Sequence, residues 1–308
     1  MPYAIDLFCG AGGCSEGLIQ AGFHILFSSD ISDMVEVTYK YRHAQLGLIQ
    51  GKNTWFERAD IRNLRGDFIK QKISELDIFR NQEVPEIDLM IGGPSCQGFS
   101  RAGRRDKEDP RNLLFGEYVR VINEVKPKYI VLENVEGFMD MQFLGYKGLN
   151  LFDKEGNLIE EGPIYPDGSV TPDILTSELK RIGYDTLRPR ILNAADYGVP
   201  QRRNRVIFIG YRNNLPAPTY PEPTVEPEHH LSLGDAIGDL VNDVNIRNRV
   251  TQRLSDYQRD SRAGRTPSFV PGQPISCDRR HLQNLELPNA TDVVLERFAL
   301  FNQGESGS

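Results

Sequence analysis

From Tyr3 to about residue 135 the chain alternates short apolar runs with amphipathic stretches long enough for helices. That alternation permits few folds besides a parallel sheet with helices on both faces. Strands are expected at residues 3–8, 24–29, 87–91 and 129–133, with helices at 14–21, 33–42, 68–79 and 113–125. A helix at 172–182 and strands at 186–192 and 205–211 complete the set. Two turn signals, Lys154-Glu155-Gly156-Asn157 and Pro166-Asp167-Gly168-Ser169, mark residues 140–171 as an inserted hairpin or flap. Beyond Tyr211, Pro216, Pro218, Pro221, Pro223 and Pro227 read as an extended linker, and residues 228–308 show little periodicity. The expected division is one α/β domain over 1–215 and a linker with a second, partial region over 216–308.

The 308 residues suffice for one large domain, or for one with a smaller companion. No run of about 18 apolar residues is present, so no membrane-spanning helix is expected. The segment Met1-Pro2-Tyr3-Ala4-Ile5 lacks a basic start, so no signal peptide is expected. Cys9, Cys14, Cys96 and Cys277 form no metal spacing and suit a reducing cytoplasm better than a disulfide framework. A net charge of −7 argues in bulk against a nucleic-acid partner. The position of charge says more than its sum. Between Arg247 and Arg280 eight arginines face three aspartates, and Arg101, Arg104, Arg105, Lys107 and Arg111 cluster in a second run. Such runs are commonly plain solvated surface; here one of them adjoins the candidate site.

That site starts at Cys96, in Gly92-Gly93-Pro94-Ser95-Cys96-Gln97-Gly98-Phe99-Ser100, directly after an expected buried strand. A lone cysteine in a turn is usually a small buried apolar residue. The next strand, however, ends in Glu133-Asn134-Val135, which sets a carboxyl beside a thiol at adjoining strand ends. Near the N-terminus, Asp6-Leu7-Phe8-Cys9-Gly10-Ala11-Gly12-Gly13 follows a strand and opens a helix, a place where a ligand can approach the backbone. A dinucleotide loop is the rival reading, but its third glycine falls on Ser15. Asp30, at the end of the second strand, suits the hydroxyls of a ribose. Asp60 suits an adenine amino group.

Together the blocks at 6–13, 92–100 and 133–135, with Gln201-Arg202-Arg203-Asn204-Arg205-Val206, resemble the bacterial DNA (cytosine-5)-methyltransferases in order and spacing, over residues 3 to 211. The resemblance implies an S-adenosylmethionine-binding, Rossmann-like α/β fold: a mostly parallel sheet with an antiparallel terminal hairpin, joined to an incomplete target-recognition region. It implies a cofactor site of Phe8, Gly10, Gly12, Gly13, Asp30, Ile31, Asp60, Ile61 and Pro94. Cys96 is the implied nucleophile, Glu133 the acid contacting cytosine, and Arg203 and Arg205 the basic pair beside the base. Gln97, Ser100, Arg101, Arg111 and Asn134 are the implied substrate contacts, and no metal is expected. The implied partners are duplex DNA, a cognate restriction endonuclease and, because two closing family blocks are not found before Ser308, a complementing C-terminal fragment or subunit. Ser95 stands where the family usually has proline, which leaves the loop slightly looser.

The chemistry explains the choice of residues. Carbon 5 of cytosine is a poor nucleophile until a thiolate adds at carbon 6, and a cysteine thiolate both attacks and leaves readily. Arg203 and Arg205 are candidates to favour the thiolate, while Glu133 shares a proton with ring nitrogen 3. The base must first leave the helical stack. Three alternatives remain at this stage: the same chemistry on a tRNA cytosine, an inert nucleic-acid-binding fragment, and a dinucleotide oxidoreductase. The last accounts for Gly10 to Gly13 but for neither Cys96-Gln97 nor Glu133-Asn134-Val135.

Overall fold

The computed structural model describes residues 1–80, 82–94, 113–153, 155–237, 254–263 and 266–267. Its central sheet carries β1 (Tyr3–Leu7), β2 (His24–Asp30), β3 (Trp55–Arg58), β4 (Leu89–Gly92), β5 (Tyr129–Asn134), β8 (Tyr184–Thr186), β9 (Arg190–Asn193) and β10 (Asn204–Arg212). The order is β3-β2-β1-β4-β5-β10-β8, with β9 also on β10. The first five strands are parallel, and β10 runs antiparallel to β5, β8 and β9. This is the mostly parallel sheet with an antiparallel terminal hairpin that the resemblance implied. Strand order reverses between β1 and β4, so the ligand crevice of such a sheet opens at their carboxyl ends.

The reasons are local. Ala4, Ile5, Leu7, Ile25, Leu26 and Phe27 are fully buried without in-out alternation, as befits strands covered on both faces. Helices α1 (Gly13–Gln20), α2 (Asp33–Gln45), α3 (Gly66–Ser74), α4 (Leu114–Val125) and α5 (Thr171–Arg181) supply the cover. On α4, Phe115, Tyr118, Val119 and Ile122 form one apolar stripe. The Tyr118 hydroxyl reaches the carbonyl oxygens of Met90 and Val131, both at 2.9 Å, and so ties α4 to β4 and β5.

Three elements differ from the expectation. Strand β3 was not foreseen: four residues on an edge show too little periodicity, and β3 exists through its pairing with β2. The expected helix at 68–79 ends at Ser74, and a separate 3-10 turn covers Asp77–Phe79 after Leu76 turns extended. The strand expected at 186–192 is two strands, β8 and β9, separated at Leu187-Arg188-Pro189, where proline lacks the donor a ladder needs. Both still pair with β10.

Between β5 and α5, strands β6 (Leu151–Phe152) and β7 (Leu158–Glu160) form a hairpin, and isolated bridges join Gln142 to Val170 and Lys147 to Ile164. The buried Glu178 of α5 fastens this insert, accepting from Leu149 N at 2.8 Å and the Tyr165 hydroxyl at 2.7 Å. The Pro-rich run is bound along the sheet. Tyr129 donates to Pro216 O, Tyr197 to Pro221 O, and the hydroxyl of Tyr220 to Ile207 O. The chain divides into two compact units, the first holding residues 1–232 and the second α6 (Leu233–Ile237) and α7 (Asp256–Ala263). Among the described residues no helix is long and apolar enough to cross a membrane.

Candidate active site

At the carboxyl end of β1 the chain turns sharply. Phe8 takes φ 57°, Gly10 φ 53° and Gly12 φ 94° before α1 begins at Gly13. Gly12 has a second constraint: an added Cβ would lie 2.9 Å from the His43 ring. Beside Gly10 and Gly13 the space is open, with nothing within 4 Å of an added Cβ. Asp30, at the end of β2, holds the loop from the other side; it accepts from Gly10 N through Oδ2 and from Ser32 N through Oδ1, each at 3.0 Å. An open glycine cradle beside a half-buried carboxylate fits the ribose end of the expected cofactor. Ile31 is exposed next to it. Asp60 caps the 3-10 turn Ile61–Asn63 and is ion-paired with Arg62, which keeps its carboxyl below the usual range. Ile61 is a core residue.

Beneath the loop lies a polar network that the sequence reading did not single out. Asp6 is buried and accepts from Ser15 Oγ at 2.5 Å. Ser15 and Ser28 each meet the Tyr39 hydroxyl at 2.6 Å, and His43 stacks on the Tyr39 ring. Burial pushes the Asp6 carboxyl up to about 7 against the lowering effect of Ser15. A carboxyl inside the apolar run Tyr3-Ala4-Ile5-Asp6-Leu7 was the available signal.

The second half of the site lies at the carboxyl ends of β4 and β5. Parallel pairing sets Gly92 beside Leu132, so the chain leaving β4 passes Glu133. A Cβ on Gly93 would come within 3.3 Å of Glu133 Oε2. Pro94 is held through its carbonyl by Asn134 Nδ2 at 3.1 Å. On the other side, β10 sets Ile207 opposite Glu133, so Arg205, two residues along, shares Glu133's face of the sheet. The Arg205 guanidinium pairs with Glu133 at 2.6 Å, both side chains partly exposed. Arg203 is exposed at the end of the same strand; its backbone, not its side chain, is bonded to Asn193.

Cys96, Gln97, Ser100, Arg101 and Arg111 lie outside the described residues, as does most of the basic run from Arg247 to Arg280. Arg259 of that run is ion-paired with Asp256. Two thiols are described. Burial pushes Cys9 far up, and Cys14, in the first turn of α1, is pushed up to about 12 by desolvation first and then by the charges of Asp6 and Glu133. Both stay protonated at neutral pH, so neither competes for the role of nucleophile. Among the described residues no cluster of His, Cys, Asp and Glu is placed to hold a metal ion.

Comparison with known proteins gives the two halves a common frame. The family model for C-5 cytosine-specific DNA methylases matches residues 3–154 and 164–286. The chain belongs to that family. The match carries the resemblance read from the four sequence blocks beyond residue 211 and into the second region. Among relatives of this methylase family, Type II methyltransferase M.XorII of Xanthomonas oryzae pv. oryzae is 38% identical over 240 residues, covering 78% of this chain and 46% of its own. Type II methyltransferase M.DdeI of Desulfomicrobium norvegicum is 31% identical, covering 98% of this chain and 61% of its own. Type II methyltransferase M.AquIA of Picosynechococcus is 32% identical, with 76% and 81% covered. The chain thus spans about half the length of the first two.

Proposed function

We propose that the whole protein transfers a methyl group from S-adenosylmethionine to carbon 5 of cytosine in duplex DNA, as one member of a restriction-modification pair in the bacterial cytoplasm. The observation that carries this reading is the Glu133–Arg205 pair, set beside Gly93-Pro94 at the point where the chain leads into Ser95-Cys96-Gln97. The cofactor supplies an electrophilic methyl group when bound at the open side of Gly10 and Gly13, with Asp30 next to the ribose. The residues of the chain do the rest. The Cys96 thiolate forms a bond to carbon 6 of the flipped cytosine, and the electron pair released makes carbon 5 nucleophilic. Glu133, with a proton shared between its carboxyl and ring nitrogen 3, stabilises the adduct, and Arg205 both orients Glu133 and faces the exocyclic oxygen at carbon 2. After methylation a base removes the carbon 5 proton and the thiolate leaves. Flipping the base costs about a few kcal/mol, which the basic segments 101–111 and 247–280 offset through phosphate contacts.

Duplex DNA with 5-fluorocytosine at the target position tests the reading, because fluorine does not leave as a proton does. With cofactor present the protein is expected to form an adduct stable to denaturation, and Cys96→Ser to form none. Equal trapping by that variant removes Cys96 from the role. Because the first two relatives are longer than this chain, the trap is run with and without a C-terminal fragment of M.DdeI.

A further inference from the structure

An open groove of about 1360 Å³ runs between α3, the ends of α4 and α5, and the β6–β7 hairpin. Lys126 borders it just before β5 begins, whereas Glu133 closes the other end of that strand. At about 3.3 Å per residue, Tyr129 to Glu133 alone is about 13 Å. Groove and proposed methylation site therefore lie at opposite ends of β5.

One wall is cationic. Lys126 ends α4 with φ 62°, a left-handed conformation that costs a residue with a Cβ about 1–2 kcal/mol and where glycine is the usual occupant. Its Nζ donates to Asn123 Oδ1 at 2.7 Å and Ile182 O at 3.1 Å. Lys70 Nζ donates to Glu124 O at 2.7 Å. Among the described residues neither ammonium has a carboxylate in ion-pair reach. They are close enough for Lys70 to act on Lys126, whose proton affinity is lowered by burial first and then by that charge. The groove's Arg120 and Arg181 are already engaged by Glu117 and Glu124, and by Glu160 and Glu178. The opposite wall carries exposed apolar side chains, Phe152 at 54% and Ile159 at 67%, among Lys147, Asn150 and Asp153. A cationic wall facing exposed aliphatic and aromatic side chains is unusual in a chain of net charge −7.

We propose that this groove docks a segment of a protein partner that carries carboxylates beside large apolar side chains. Its volume exceeds the roughly 300–1,000 Å³ of small-molecule pockets. Nucleic acid is a poorer match, since phosphate interfaces are polar and wet, whereas this groove exposes Phe152 and Ile159 and its Arg120 and Arg181 are occupied.

A random dodecapeptide library displayed on phage, panned on the whole chain, tests this. Enriched sequences are expected to combine Asp or Glu with Leu, Ile, Phe or Trp. The affinity of the synthetic winner, read by fluorescence anisotropy, is expected to fall about tenfold in Lys70→Glu/Lys126→Glu, the scale of lost charge-assisted hydrogen bonds. Lys126→Gly relieves the left-handed backbone and keeps the fold, so it is expected to weaken the peptide while leaving S-adenosylhomocysteine binding unchanged. Absence of enrichment, winners without acidic residues, or affinity indifferent to Lys126→Gly overturns the proposal. Displacement of the winner by a short duplex oligonucleotide, lost in the same variants, overturns it in favour of a nucleic-acid groove.

Discussion

The two halves of the site are held by opposite means. At the ends of β1 and β2 the glycine loop rests on a buried network: Asp6, Ser15, Tyr39 and Ser28 in hydrogen-bond contact, His43 stacked beneath, and Asp30 accepting two backbone donors. At the ends of β4 and β5 the described residues show a partly exposed ion pair, Glu133 to Arg205, beside the buried side-chain bond of Asn134 to Pro94. The first half is shaped before any ligand arrives, because desolvated polar groups without partners are expensive. The second relies in part on an ion pair that water competes with, which suits the proposed admission of a flipped base. Preorganisation lies at the glycine loop and adaptability at the proposed base-binding end.

The largest expected effect is on the adaptable side. Cys96→Ala should abolish methyl transfer, by a factor of about 10³ or more, while S-adenosylhomocysteine binding measured by calorimetry stays within error. Loss of both together would mean that the halves are not separable.

Next, Glu133→Gln removes the proposed proton donor and alters the partner of Arg205. Single-turnover methylation should slow by about 10²-fold, the usual scale of general acid catalysis, with cofactor affinity unchanged. A variant as fast as the parent would reduce the ion pair to a strand-end contact.

On the preorganised side, Asp30→Ala should weaken S-adenosylhomocysteine by about 1.5–3 kcal/mol, the range for charge-assisted hydrogen bonds. Tighter binding of a nicotinamide dinucleotide than of this ligand would break the family assignment of the pocket itself. Gly12→Ala should cost about 1–3 kcal/mol of folding stability in chemical denaturation, since a positive φ is strained for alanine and the new methyl presses on His43. Gly93→Ala, which meets the Glu133 carboxyl at 3.3 Å and its backbone oxygen at 3.8 Å, should change stability less and methylation more. The reverse ranking would invert the comparison.

The last prediction is a pH slope. The Asp6 carboxyl is pushed from 3.8 to about 7 in the folded chain. A group whose folded value exceeds its unfolded one favours the fold fully below pH 3.8, and that contribution is lost as pH rises through 7. Asp6→Asn should therefore lose less stability than the parent between pH 4 and pH 8. His24 opposes this trend: burial lowers it to about 4, so it favours the fold above its ordinary value of 6.5 and ceases to as pH falls through 4. Parallel pH profiles for parent and Asp6→Asn would show that Asp6 is not the buried acid under the loop.

The sequence by itself determined the parallel core, because fully apolar runs such as Ile25-Leu26-Phe27 have no other way to cover both faces, and it determined the chemical parts, because Gly12, Asp30 and Glu133 stand at strand ends that any such sheet brings to one edge. Only the tertiary structure decided which parts meet. Arg205 reaches Glu133 through the register of β10 on β5, a pairing across about seventy residues that no local pattern encodes. Strand β3 and the break at Pro189 followed the same rule, since short edge strands exist by pairing rather than by propensity. Ile61 entered the core and Asp60 took Arg62 as partner because the turn after β3 was set by packing. The acid beneath the glycine loop was written plainly in Asp6, but its raised proton affinity came from burial, which the fold alone supplies.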